Sequence, residues 1–356
     1  MSTDGSPDRA AVAIVGMGAS SPIGYGTRPV QAAMAGRIRN FRSIPMLGWT
    51  EEPVRISRLP DVDESLSRSQ RISMLTEHAV ADLCAGLQVE VPPGVAVFVG
   101  CAQDAPESEL NTVAAAVSSG SGGMLNPAAA GMFAGYRAGR IAFLSALAKA
   151  MRWFDGGSGE LALVIAADSR CLPEMVRNMA RERRLLNDRD DGTIPGEAAV
   201  AMLIATPNSV FSRHAKLMVA RPAFAADDFA TLRQSPLATD GLGRAFGALA
   251  ERPLSGSIRP QSVVAFETGE VFFTRAFQTA YLRNAQLMPE PLQHELIAAN
   301  LGDTGAAAAG MALVRAAWLM RQEPGNRTPR VLIYGHADDG RCAAAMAIGR
   351  PAEALQ

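Results

Sequence analysis

The segment from Gly131 to Ser169 places the tightest constraint on what this chain can become. Its middle piece, IAFLSALAKAMRWF (Ile141–Phe154), runs for 14 residues with only three polar side chains, Ser145, Lys149 and Arg152. Those three recur at i, i+4 and i+7, so on a helix they form one narrow stripe along an otherwise apolar cylinder. Such a helix is about 21 Å long at 1.5 Å per residue, too short and too polar to span a bilayer. It is therefore expected to be wrapped by protein on most sides. The chain enters it from a glycine-containing turn and leaves through DGGSGE into a continuous apolar strand, Leu161–Ala167. Where a short helix threads the middle of a molecule, its first turn offers free backbone N–H groups and the positive end of the helix dipole. The residues at that end are the first place to look for chemistry.

The rest of the chain alternates apolar strands with helices. Val12–Val15 reads as a strand that breaks at Gly16-Met17-Gly18, followed by the loop ASSPIGYG and a helix near Thr27–Ala35. The stretch from Gly36 to Ser69 holds Pro45, Pro53 and Pro60 without a clear period and reads as a surface excursion. A helix over Gln70–Leu87 and a buried strand, Val95–Val99, precede Gly100-Cys101; residues 104–130 read as a packed loop with one helix. Beyond the central helix come a helix over Pro173–Arg184, a loop from Asn187 to Gly196, a strand at Ala198–Ala205, and Leu217–Ala220 as its pairing partner. The second half starts the alternation again: helix Gly243–Glu251, strand Val263–Phe266 and helix Phe272–Ala285. Ile297–Leu301 then leads through GDTGAAAAG into a helix ending at Met320, before strands Val331–Tyr334 and Ala343–Ile348. Apolar strands alternating with helices require a sheet covered on both faces, and two such runs in tandem point to a pseudo-duplicated α/β fold.

Composition excludes several roles. The 34 basic and 35 acidic residues leave a net charge of −1, so nothing drives the chain toward nucleic acid or an anionic membrane. The four cysteines, at 84, 101, 171 and 342, have neither metal-ligand nor redox spacing and read as reduced thiols of a cytoplasmic protein. Residues 1–10 are polar, are expected to be disordered, and lack the pattern of a signal peptide. No cofactor and no metal is expected.

Four stretches in order, VAIVGMGASSPIG (12–24), DGTIPGEAAVA (191–201), AFETG (265–269) and NLGDTGAAAAG (300–310), resemble the thiolase-like superfamily and, within it, the β-ketoacyl synthases. The resemblance runs from residue 12 to about 348. It implies a thiolase-like α/β fold of two βαβαβαββ halves, residues 11–222 and 223–356, layered α-β-α-β-α. It also implies a cysteine at the start of the buried helix, where the dipole lowers its pKa, and two histidines that stabilise developing negative charge. None of the three is present. The turn into the helix, Gly135–Arg140, holds no cysteine, serine or threonine, and no cysteine occurs between Cys101 and Cys171. Phe266 and Asp303 stand at the two histidine positions. The chain thus resembles a degenerate bacterial ketosynthase without catalysis. Members of this superfamily pair through their sheets, often with an inactive chain supporting a partner. Degenerate members also serve as accessory proteins that load toxins into type VI secretion systems. The resemblance implies a homodimer or heterodimer, or an adaptor for a secretion effector.

Other residues carry alternatives. The turn GHADDGRCAAAMA (335–347) gathers His336, Asp338, Asp339 and Cys342, either a displaced nucleophile and base or a polar turn before a strand. Cys101 ends a strand as a nucleophile would, or is a packed core thiol. Asp303 caps a helix start or serves as a base. Glu197 stabilises a turn. Arg137 and Arg140 bind an anion or lie on an exposed turn, and the run RERR (181–184) is the solvated end of a helix. With Phe266 in the wall, and Tyr136 or an arginine filling the turn, the old pocket is expected to be smaller and drier. Scaffold or subunit, acyl-thioester transferase or hydrolase with a non-standard site, and binder of an acyl ligand are the functional readings.

Overall fold

A computed structural model describes residues 11–45, 52–60, 62–188, 191–213, 215, 217–252, 259–322 and 328–349. The expectation for residues 1–10 lies outside them. The first half contains β1 (Ala11–Ser21), β2 (Gly24–Tyr25), α1 (Thr27–Ala35), β3 (Phe41–Ile44), β4 (Val54–Ser57), α2 (Arg68–Gly86), β5 (Ala96–Cys101) and α3 (Glu107–Gly120). It continues with β6 (Phe133–Arg137), α4 (Ala142–Asp155), β7 (Leu161–Ser169), α5 (Pro173–Arg181), β8 (Glu197–Ala205) and β9 (Leu217–Ala220). The second contains β10 (Ala223–Ala226), α6 (Phe229–Gln234), α7 (Gly241–Ala250), β11 (Ser262–Ala265), α8 (Val271–Arg283) and β12 (His294–Leu296). It ends with α9 (Ala298–Leu301), α10 (Ala308–Arg321), β13 (Arg330–His336) and β14 (Arg341–Gly349).

The strands pair in the order β12-β11-β13-β14-β9-β1-β8-β7-β5-β6, with β9 between β1 and β14. Alternation along each strand builds the layers. Phe98, Val164, Val200, Val264, Ile333 and Ala345 face one shared core that also takes in α4 and α10. Their neighbours Val97, Leu163 and Leu203 face a second core with α2 and α3. Leu332, Tyr334 and Met346 face a third with α7 and α8. This is the five-layered thiolase-like arrangement, with α4 and α10 in the middle layer. On α4 the expected stripe reaches water, with Lys149 and Arg152 exposed and Ser145 half-buried; Trp153 and Asp155 in the last turn are half-buried too. No helix among the described residues is long and apolar enough to cross a membrane.

Several local expectations are corrected. β1 does not break at Gly16-Met17-Gly18; it continues to Ser21, with a register shift between Ile14 and Gly16 against β8. The glycines serve packing, because a Cβ at Gly18 would lie 1.9 Å from the Ala79 carbonyl oxygen of α2. β9 pairs with β1 and β14 rather than with β8. The Gly36–Ser69 excursion contains a hairpin, β3–β4, which buries Val54 and Ile56. The turn before α4 includes a strand, β6, that among the described residues has β5 alone as its neighbour and closes one end of the sheet.

Gly18→Ala is expected to destabilise the protein by about 3 kcal/mol, because backbone atoms of α2 have to move. Gly86→Ala, with nothing within 4 Å of the added carbon, should change stability little. Equilibrium denaturation of both variants checks the pair.

Candidate functional site

The turn into α4 is where the sequence directs attention. β6 delivers the chain to Ala138, whose N–H donates to the Cys101 carbonyl at 3.2 Å, and Gly139 takes φ +55° before α4 begins. That left-handed residue swings the next side chain, Arg140, inward, and Arg140 is 1% exposed. The reading of Arg140 as part of an exposed turn is therefore wrong. It holds for Arg137, whose side chain is 41% exposed and pairs with Glu107. Tyr136 stacks on Phe98 at 6.3 Å, so the side chain that fills the turn is Arg140.

Arg140 is held on three sides. Its Nε donates to the His336 carbonyl at 2.8 Å, its Nη1 donates to Asp303 Oδ2 at 3.1 Å, and its Nη2 lies 2.7 Å from Asp338 Oδ1. Asp303 reaches this point because Gly302, at φ +69°, lets the chain run against Ile194; a Cβ there would stand 2.5 Å from the Ile194 carbonyl oxygen. Asp303 does cap the following turn, accepting from the Gly305 N–H at 3.0 Å, but its other oxygen serves Arg140 and Arg170, the latter at 2.6 Å. A carboxylate so placed already accepts three hydrogen bonds, two of them from guanidiniums.

Two arginines that the sequence reading missed complete the cluster. Arg170 Nη1 bridges Asp303 and Asp338, at 2.6 and 3.0 Å. Arg184 forks onto Glu270 at 2.7 and 2.9 Å and reaches Asp338 at 2.7 Å. Arg184 belongs to the RERR run expected to be solvated, yet it is 3% exposed. Three guanidiniums thus meet three carboxylates, Asp303, Asp338 and Glu270, in a charge-balanced set of ion pairs, most of them hydrogen-bonded; Arg140 Nη2 faces Asp338 without a hydrogen bond. Burial pushes the Asp338 carboxyl up, but Arg140, Arg170 and Arg184 outweigh it and hold it well below the usual carboxylate range.

Phe266 sits beside this cluster without joining it. Its N–H donates to the Tyr334 carbonyl at 2.9 Å, and its ring fills the space over Gly335, where a Cβ would come within 2.4 Å of it. The next residue, Glu267, is buried 2.5 Å from His336 Nδ1. Burial raises the Glu267 pKa against the opposing pull of His336 and Arg140. The His336 ring stacks on Phe273 at 5.2 Å, and the Arg140 guanidinium lies 5.2 Å from that same ring.

The remaining candidates separate. Cys342 lies opposite His336 in the β13–β14 register, but its thiol donates to the Ala225 carbonyl at 3.5 Å and burial pushes its pKa up to about 12. Burial, with Glu109, also raises Cys101 to about 12. Neither forms a thiolate near neutral pH. Asp339 turns away to Arg341 and Gln103. Glu197 accepts from Ser169 at 2.6 Å and from the Leu59 N–H at 2.7 Å and pairs with Arg71, tying strands to loops.

A cleft of about 420 Å³ opens over the cluster, lined by Gly139, Gly305, Asp104, Asp168, Arg170 and Asp338 among others. Asp104, Asp168, Arg170 and Asp338 put charge in its wall, and Phe266 does not line it.

No family model matches the sequence, and no curated protein does. Solved structures match along almost the whole chain. The ishigamide ketosynthase/chain length factor superimposes with TM-score 0.70 at 17% identity, over 96% of this chain and 99% of that one. The module 6 ketosynthase of the Bacillus subtilis bacillaene synthase gives 0.71 at 15%, over 96% and 72%. A type II polyketide ketosynthase in complex with its acyl-carrier protein gives 0.71 at 12%, over 96% and 99%. The chain has the thiolase-like ketosynthase fold.

The lowered Asp338 pKa sets an acid limit. A carboxyl whose folded pKa is depressed contributes stability that is present above its unfolded value of about 3.9 and lost as pH falls through the folded value. Stability should therefore drop below about pH 4. Asp338→Asn should flatten that acid slope by about one proton, measured by urea denaturation across pH.

Proposed function

We propose that this chain is a non-catalytic protein of ketosynthase fold that acts as the structural partner of another protein. The observation that carries this reading is the side chain at the entry to α4. Where an acyl-accepting thiolate would stand, Arg140 is locked between Asp303, Asp338 and the His336 carbonyl. A guanidinium is no nucleophile, and a carboxylate at 303 repels an oxyanion instead of stabilising it. The two thiols nearest in role, Cys101 and Cys342, are held un-ionised.

The open edge of β6 supports a partner. Phe133 to Tyr136 are half-buried, and β6 has no strand beyond it among the described residues. An unblocked edge presents a row of backbone groups that a second strand can take up. We infer a second copy of this chain, or a related ketosynthase-fold subunit, paired along β6, with the boundary between halves near 222 and 223. One solved neighbour is a ketosynthase/chain length factor and another is a carrier protein bound to its ketosynthase; both concern partnership between chains. An adaptor that presents a secretion effector is the narrower form of the same reading, decided by what a pull-down from the native host recovers.

Incubation with malonyl- and acyl-coenzyme A should leave the intact mass unchanged; a stoichiometric acyl adduct on any cysteine would sink the proposal. The triple variant Arg140→Cys, Phe266→His and Asp303→His should also fail to condense thioesters, because Arg170, Arg184 and Asp338 still occupy the centre. Light scattering at micromolar concentration should report a dimer or a stable hetero-complex, and Ala134→Lys on the β6 edge should dissociate it. A wild-type monomer that never binds a partner would contradict the subunit role.

A further inference from the structure

On a part of the molecule that shares no residue with the cleft over Arg140, a groove of about 360 Å³ runs between the end of α1 and the β12–α9 segment. We propose that this groove is a binding site for a small phosphomonoester. This inference does not depend on the proposed partner role.

Charge is the first ground. Arg37, Arg39 and Arg315 line the groove with one carboxylate, Glu295, so the formal balance there is two positive charges in a chain whose total is −1. Arg37 and Arg39 are exposed, and neither side chain has a partner among the described residues. A surface that concentrates unpaired guanidiniums in a concave site raises the local concentration of anions.

The second ground is the state of Arg315. It is 7% exposed and rigidly placed: Nε and Nη2 fork onto Glu295 at 2.7 and 2.9 Å, and the guanidinium lies 4.3 Å from the centre of the Trp318 ring. Its remaining nitrogen, Nη1, is buried without a hydrogen-bond partner. A buried donor left unpaired is costly, and a ligand oxygen relieves that cost. Glu295 is already committed to the fork, so it orients the arginine without neutralising the other two.

The third ground is backbone geometry. Arg37 adopts φ +54° at the position after the Gly36 cap of α1, where glycine is the usual residue. Asn300 Nδ2 donates to the Ile38 carbonyl at 3.0 Å and so joins the two walls of the groove. A cation completing the α1 dipole accounts for Arg37 alone. It leaves Arg39 and the free nitrogen of Arg315 without a role.

The ligand class follows from these features. Two net positive charges match a dianion, and guanidinium forks match the tetrahedral oxygens of phosphate. Met34, Leu296 and Ile297 add an apolar wall, which suits the short carbon arm of a phosphomonoester.

The test is isothermal titration of the full-length protein with inorganic phosphate and with ethyl phosphate, against sodium chloride at matched ionic strength. Both should bind saturably in the millimolar range or tighter, ethyl phosphate at least as tightly as phosphate. Arg37→Ala combined with Arg39→Ala should weaken both by about tenfold or more, with the melting temperature of the ligand-free protein unchanged because neither side chain is buried. Arg315→Lys, which keeps the charge and loses the fork, should weaken them by a similar factor. Absence of a saturable signal above the chloride control, or equal affinity in the double variant, would overturn the site. Binding of inorganic phosphate but not ethyl phosphate would overturn the monoester assignment.

Discussion

Asp303 accepting from Arg140 and Arg170 is the interaction on which the middle of this protein depends. A guanidinium that enters the core around α4 and α10 leaves water behind, and it stays there at low cost only when carboxylates neutralise it. Here each charge is the condition for the next. Asp303 holds Arg140 and Arg170, Asp338 holds the same two and Arg184, and Glu270 completes the Arg184 fork. Six segments far apart in sequence are thereby fastened at one point: the entry to α4, the residues after β7, those after α5, the loop before α8, the turn between α9 and α10, and the turn between β13 and β14. Removing one member of such a set leaves an uncompensated buried charge, at a cost of about 3–5 kcal/mol.

The same network sets the chemistry. Ketosynthase catalysis needs a thiolate and donors aimed at a developing oxyanion. This centre offers guanidiniums paired with carboxylates, and carboxylates paired with guanidiniums. The fold is that of the ketosynthase-fold structures it superimposes on, while the groups at the entry to its buried helix are an arginine and the carboxylates that hold it. A fold does not by itself fix the chemistry of the site it carries.

How much of this was legible in the sequence follows from the range of the forces involved. The central helix, β7 and β8 were readable because they are buried on nearly every side, and an apolar run records that directly. α1 was readable from its turn and period. β1 was misread because Gly16 and Gly18 punctuate a sequence in the same way whether they make a turn or admit a helix. β6 was missed because Phe133–Arg137 is half-buried and contains Gly135, which gives neither a clean alternation nor an apolar run. At the site, Arg140 and Asp303 stood out one at a time, but 163 residues separate them and no local pattern records their pairing. Arg184 was misassigned because RERR looks like a solvated helix end unless the carboxylate waiting for one member, Glu270, is known. His336 and Asp338 were visible as a cluster, yet only tertiary structure tells a clamp from a catalytic pair.

The account stands or falls on whether Arg140 and Asp303 act as one unit. A double-mutant cycle with Arg140→Met and Asp303→Leu, read by equilibrium denaturation, measures this directly. Each single change should be severely destabilising, and the double variant should lose less than the sum of the two by about 2 kcal/mol or more. Additive losses, with a coupling energy near zero, would show that the two charges do not hold each other and would contradict the account.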